Sequence, residues 1–253
     1  VLPVFIVLAW PHFRKDWPLV RCHWGILLFL AMISISGYNA FVYTGLNTTT
    51  AINMLMINAG RPVVIIFLAY LFLGERINLL QSLGLILALS GTMTIMARGD
   101  LDVLLGVKFI SGDLWVVAAT LGWAVYTVVF PRKPKIHPTN FMLVTVVMGL
   151  LVLLPFYVYE TLFVRPVPFM TAEAWSSILY LGLIAGGLAY LCYNRMVEVL
   201  GAGKAGLTSY LVPVIGTILA ITYLGEQFRN FHIAGIGLIL AGVLLATRSR
   251  KEA

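Results

Sequence analysis

Near the middle of the apolar stretch Ala51 to Leu73 stands an arginine, Arg61, in the run Ile57-Asn58-Ala59-Gly60-Arg61-Pro62. A guanidinium presents a planar fork of N–H donors that matches a carboxylate or phosphate, so the chemistry on offer is capture of an anionic group. Asn58 lies one helical turn earlier and shares the face of Arg61, which makes it the expected polar companion. Two plainer roles compete: Arg61 donating to backbone carbonyls freed where Pro62 breaks the helical ladder, and Asn58 bonding to a neighbouring helix. Farther on, Trp115, Ala119, Gly122, Trp123 and Tyr126 recur at helical spacing and form an aromatic, small-residue face. Trp123 and Tyr126 offer flat apolar walls for amphipathic cargo and cation–π attraction for positive cargo. Packing accounts for the same pattern, with Trp115 as a residue of the interfacial belt. Tyr38 in one half and Tyr190 in the other complete the candidate binding set.

Chemistry of other kinds finds no footing. The histidines His12, His23, His137 and His232 fall in loops or at helix ends without metal-ligand spacing, so no metal is expected. Cys22 and Cys192 suggest neither a disulfide framework nor a metal cage. The sequence lacks a nucleophile elbow, a phosphate-binding glycine loop, an HExxH pair and paired carboxylates, so no catalytic residues, no cofactor and no enzymatic activity are expected.

The elements that must hold these residues are membrane helices. Of 253 residues, 60% are hydrophobic and 11% charged, against about 25% charged in an ordinary soluble domain. A bilayer core roughly 30 Å thick needs about 20 apolar residues per helix. Such stretches are expected at Trp24–Leu46, Ala51–Leu73, Leu79–Met96, Leu114–Phe130, Phe141–Tyr159, Trp175–Tyr193, Ala205–Leu224 and Phe231–Ala246. The opening run before Trp10 is too short to span and reads as the end of a further helix, with Trp10 to His23 as a basic loop. Arg61 is then near the bilayer centre, where even the lower scales charge an arginine roughly 2.5–3.5 kcal/mol, so it should face a partner or a wet cavity.

The formal net charge of +7 sorts by membrane side rather than forming a nucleic-acid footprint. Arg14, Lys15, Arg21, Arg76, Arg132, Lys133, Lys135, Lys204, Arg248, Arg250 and Lys251 fall on one side if the loops alternate. Arg98, Lys108, Arg165 and Arg229 fall on the other. The positive-inside rule puts the first group, and with it the C-terminus, in the cytoplasm.

Sliding the sequence along itself until Pro62 meets Pro213 also brings together Val63 and Val214, Leu68-Ala69 and Leu219-Ala220, and Leu73-Gly74-Glu75 and Leu224-Gly225-Glu226. Gly84, Leu87, Leu89 and Gly91 then meet Gly235, Leu238, Leu240 and Gly242. An odd number of spans separates the copies, so the halves are expected in opposite membrane orientations, as in carriers that hold cargo near the midplane between inverted repeats. Pro62 and Pro213 sit mid-span as hinge candidates. Glu75 and Glu226 are expected to cap the helix that follows each. The counterpart of Arg61 is Val212, so the repeat itself does not require a cation.

The segments PVVIIFLAYLFLGERINLLQSLGLILALSG and AYLCYNRMVEVLGAGKAGLTSYLVPVIGTILAITYLGEQ, with HIAGIGLILAGVLLATR, resemble the EamA-type members of the drug/metabolite transporter superfamily, and the resemblance covers essentially the whole chain. It implies an all-α membrane protein, a bundle of two inverted five-helix repeats with ten helices when complete. About eight full helices and a partial one are expected here, with the first helix and part of the second missing. The first repeat would occupy 1–97, a non-cytoplasmic linker 98–112, the second repeat 113–247 and a basic cytoplasmic tail 248–253. The resemblance further implies a multi-pass protein of the cell membrane, expected in a bacterial inner membrane. Its function would be secondary export of small metabolites, amino-acid-like or otherwise carboxylated, by alternating access. Efflux of lipophilic cations is the rival reading and a channel a more distant one. Expected partners are the small-molecule cargo and the bilayer, with no nucleic acid; a coupling proton and homo-oligomerisation are left open.

Overall fold

The computed structural model describes residues 1–164, 171–225 and 227–248. In chain order the α-helices are α1 (Leu2–Cys22), α2 (Trp24–Ala31), α3 (Tyr38–Leu46), α4 (Ala51–Ala59), α5 (Arg61–Leu73), α6 (Leu79–Met96) and α7 (Leu101–Leu105). They continue as α8 (Ser111–Val129), α9 (Pro138–Tyr159), α10 (Ala172–Tyr180), α11 (Ala189–Leu200), α12 (Ala202–Leu207), α13 (Leu211–Leu224) and α14 (Asn230–Thr247). Grouped into continuous spans, 8 stretches among the described residues are long and apolar enough to cross a membrane, and the first three have the bounds expected from sequence.

One expectation needs correction. The stretch Trp10 to His23 is not a loop, because α1 runs unbroken to Cys22 through Pro11 and Pro18. What holds it helical is packing: Phe5, Ala9, Asp16 and Val20 are buried along one face, and α1 lies against α9. Asp16 accepts hydrogen bonds of 2.7 Å from both the His137 backbone N–H and Asn140 Nδ2, which places a carboxylate at the N-terminus of α9, where the helix dipole favours it. The 98–112 linker also contains a short helix, α7, started by Asp100 accepting from the Asp102 N–H at 2.9 Å. The basic tail lies outside the described residues from position 249 onward, as do Glu226 and Arg165.

The chain divides into two units, 1–39 with 129–199 and 40–128 with 200–253. In the first, α9 packs against α1, α2 and a π-helical segment, Met32–Gly37. The close approach occurs at Gly149, where an added β-carbon would lie 2.6 Å from Ile35, and Ser36 donates to the Gly149 carbonyl at 2.9 Å. A second π segment, Leu181–Leu188, lies at the repeat-related place in the same unit. Such segments free a backbone carbonyl that must find another donor.

In the second unit α6 and α14 are the central pair. A β-carbon on Gly84 would lie 2.5 Å from the Gly242 carbonyl oxygen, and one on Gly91 would lie 2.6 Å from that of Gly235. The partner number falls as the residue number rises, so the helices run antiparallel. The repeat relates Gly84 to Gly235 and Gly91 to Gly242, so the contact is self-complementary about a pseudo-two-fold axis. The C-terminal caps repeat as well: Gly74 (φ 68°) closes α5 onto the Ala69 carbonyl, and Gly225 (φ 68°) closes α13 onto that of Ala220.

The carboxylate of Glu75 departs from expectation. The helix that follows it, α6, is capped by Asn78 and Gln81 in a reciprocal pair, whereas Glu75 Oε2 accepts from the Gly203 N–H at 3.2 Å, in the first turn of α12. Gly201 (φ 84°) and Gly203 leave room for it, since a β-carbon on either would come within 3.2 and 2.8 Å of the carboxylate.

Gly84→Ala should lower stability by about 1–3 kcal/mol through overpacking. Gly237→Ala, where nothing lies within 4 Å, should change it by less than about 0.5 kcal/mol; thermal unfolding in detergent measures both. Tyr210 is buried among Ala88, Leu207, Val214 and Ile239, and its hydroxyl has no hydrogen-bond partner among the described residues. Tyr210→Phe should therefore leave the melting temperature unchanged or raise it, by up to about 1–3 kcal/mol in stability.

Candidate functional site

The span Ala51–Leu73 is not one helix. It breaks at Gly60, which separates α4 from α5, and Pro62 stands in the first turn of α5, where its missing N–H removes no needed bond. The repeat-related span breaks at the corresponding place. There α12 gives way to a 3₁₀ turn, Thr208–Tyr210, before α13 begins at Leu211 and passes through Pro213. Both prolines thus follow an interruption rather than kink a continuous helix.

Arg61 leaves the first break with its Nη2 donating to Asn58 Oδ1 at 2.5 Å. The same oxygen accepts from Thr120 Oγ1 at 3.2 Å, so this α4 amide is fixed from two other elements, α5 and α8. The guanidinium carbon stands 5.7 Å from the centroid of the Trp123 ring, within cation–π range. Trp123 in turn packs on Tyr126, ring centroids 5.5 Å apart and tilted by 45°. The amide and the indole orient the guanidinium from two sides. Tyr126, Thr120 and Trp123 are buried, while Arg61 and Asn58 are half-buried.

Four of the six proposed binding residues, Arg61, Asn58, Trp123 and Tyr126, therefore belong to one cluster. Tyr38 and Tyr190 belong to the other unit. Tyr38 follows the π segment Met32–Gly37 directly, and the Tyr190 hydroxyl donates to the Ser34 carbonyl within that segment at 3.0 Å. Trp115 is exposed and stacks near Phe41 at 5.5 Å, which fits a belt residue. Arg195 is exposed and bonds Glu198 at 3.2 Å, and Glu198 also pairs with Lys133 at 3.0 Å.

Two polar features escaped the sequence reading. Thr120 is one turn before Trp123 on the same face, and its mid-span position on the aromatic face was the available signal. Asp113, at the start of α8, is 1% exposed and accepts from Thr49 Oγ1, from Asn53 Nδ2 at 2.8 Å and from the Ile110 N–H at 2.9 Å. It pins the start of α4 to the start of α8 and so sets the register that brings Asn58 opposite Thr120. Nothing in the spacing of Asp113 pointed to Thr49.

Comparison with known proteins agrees with this architecture. The model of the EamA-like transporter family matches residues 1–97 and 110–248. The transporter YyaM of Bacillus subtilis is 27% identical over 223 residues, 87% of this chain and 72% of that protein. A probable terminal-alkyne amino-acid exporter of Streptantibioticus cattleyicolor is 31% identical over 205 residues, 76% of this chain and 64% of its own length. A crystal structure 19% identical in sequence shares the fold, with a TM-score of 0.76 over 96% of this chain and 82% of that one. Helical spans, an inverted glycine-packed repeat and the family match lead to one identification: the chain belongs to the EamA-like transporter family.

Proposed function

We propose that this transporter exports small metabolites bearing an anionic group, amino-acid-like or otherwise carboxylated, by alternating access. The observation that carries the reading is the guanidinium of Arg61, oriented by Asn58 and Trp123 beside a break in a membrane span. Carriers built from inverted repeats commonly bind cargo at discontinuous helices near the midplane, and paired interruptions in the two halves are the best pointer to such a site. Arg61 takes the anionic group, Trp123 and Tyr126 pack against the apolar remainder, and the breaks before Pro62 and Pro213 absorb the helix movement. A relative named for amino-acid export supports this class of cargo. Lysine and arginine sorting supports a cell-membrane protein with a cytoplasmic C-terminus.

Arg61→Gln, compared with the parent and with cells lacking the transporter at matched membrane expression, should lose release of a carboxylated metabolite in a mass-spectrometric comparison. The expected loss is about tenfold or more, from a charged hydrogen bond worth about 1.5–3 kcal/mol. Unchanged release, or release of cations, overturns the anion reading. Asn58→Asp is the complementary test, because a carboxylate beside Arg61 should compete with the cargo's own. Export of the same compound should fall by a similar factor while the protein's melting temperature holds. Retained export would place cargo capture away from this pair.

A further inference from the structure

A cleft of about 280 Å³ opens beside the Glu75 cap, away from the Arg61 cluster. Two cations from separate elements line it: Arg76, in the short connection from α5 to α6, and Lys204, in α12. Neither forms an ion pair among the described residues. The acidic group at the cleft, Glu75, has one carboxylate oxygen on the Gly203 N–H. Gln81 and Gly203 also line it, and the rest of the wall is apolar, with Ile66, Ile77, Leu200 and Leu207.

Depth identifies the occupant. Arg76 falls between the span ending at Leu73 and the one beginning at Leu79, and Lys204 lies just beyond the boundary between spans ending at Leu200 and starting at Ala202. Both are therefore where a bilayer places its phosphates, while the apolar wall belongs beside acyl chains. Basic pockets between membrane helices attract anionic headgroups, and both cations fall on the lysine- and arginine-rich side.

We propose that this cleft binds an anionic phospholipid, its phosphate on Arg76 and Lys204 and an acyl chain along Ile66, Ile77 and Leu200. The site is separate from cargo capture and stands whether or not the anion-export reading does. A lipid there would brace the connection after α5 against the start of α12, the same junction that Glu75 closes.

The test measures the full-length protein in phosphatidylcholine nanodiscs titrated with phosphatidylglycerol, reading thermal stability and lipid bound by native mass spectrometry. Phosphatidylglycerol should stabilise the parent. The double variant Arg76→Gln/Lys204→Gln should bind it roughly thirtyfold more weakly. Arg76→Lys/Lys204→Arg, which keeps both charges, should bind within about threefold of the parent, and so should Arg98→Gln/Lys108→Gln, which removes equal charge elsewhere. Equal binding by the parent and the first double variant overturns the proposal. So does equal weakening in the Arg98/Lys108 control, or stabilisation by inorganic phosphate that matches that by the lipid, which would assign the cleft to a free anion.

Discussion

In hydrocarbon a helix gains little from burying leucine against leucine, because lipid tails are equally apolar, so association depends on how closely two backbones approach. The α6–α14 contact meets that condition at Gly84, Gly91, Gly235 and Gly242, where even a β-carbon would collide with the facing main chain. Around this pair the neighbouring small and apolar residues Ala88, Ile239 and Ala246 are fully buried. Tyr210 and Val214 pack on the same cluster, which joins the second repeat's interrupted span to the pair. The remaining elements of this unit can carry polar and irregular features because these helices do not.

Those irregular features follow a second constraint, that backbone groups at membrane depth need partners. Each is met locally. The first π segment gives its Ser34 carbonyl to Tyr190, and the start of α12 takes the Glu75 carboxylate. Asp113 gathers a side-chain hydroxyl, an amide and a main-chain N–H at the start of α8. The break at Gly60 puts a charged residue where a straight helix would not readily hold one, and Asn58 and Trp123 orient it. Polar satisfaction and the proposed cargo capture thus draw on the same residues.

Much of this was legible in the chain. Long apolar runs marked the spans, and the Pro62–Pro213 alignment matched Gly84 and Gly91 to Gly235 and Gly242, whereas the packing of α6 on α14 through those glycines came from the fold. Helical spacing linked Arg61 with Asn58 and Trp123 with Tyr126, while the meeting of the two pairs is decided by packing. Less legible was anything decided by tertiary contact. Residues 10–22 are charged and proline-containing, yet α9 holds them helical through Asp16. Glu75 looked like a cap for the next helix, but Asn78 and Gln81 already filled that place, leaving its carboxylate for a helix more than a hundred residues away. Nor does spacing show that the Tyr190 hydroxyl donates to the Ser34 carbonyl of the π segment.

An interface that maps onto itself when the chain direction is reversed does not need one continuous polypeptide. Two copies of a half-length ancestor, inserted in opposite senses, would meet through the same four glycines as an isologous homodimer. Fusion of those copies removes the obligation that both partners stay alike. The glycines are matched in the two halves, while position 61 carries arginine and its twin, 212, carries valine. Joining the halves is thus what lets a symmetric frame hold one charge instead of two.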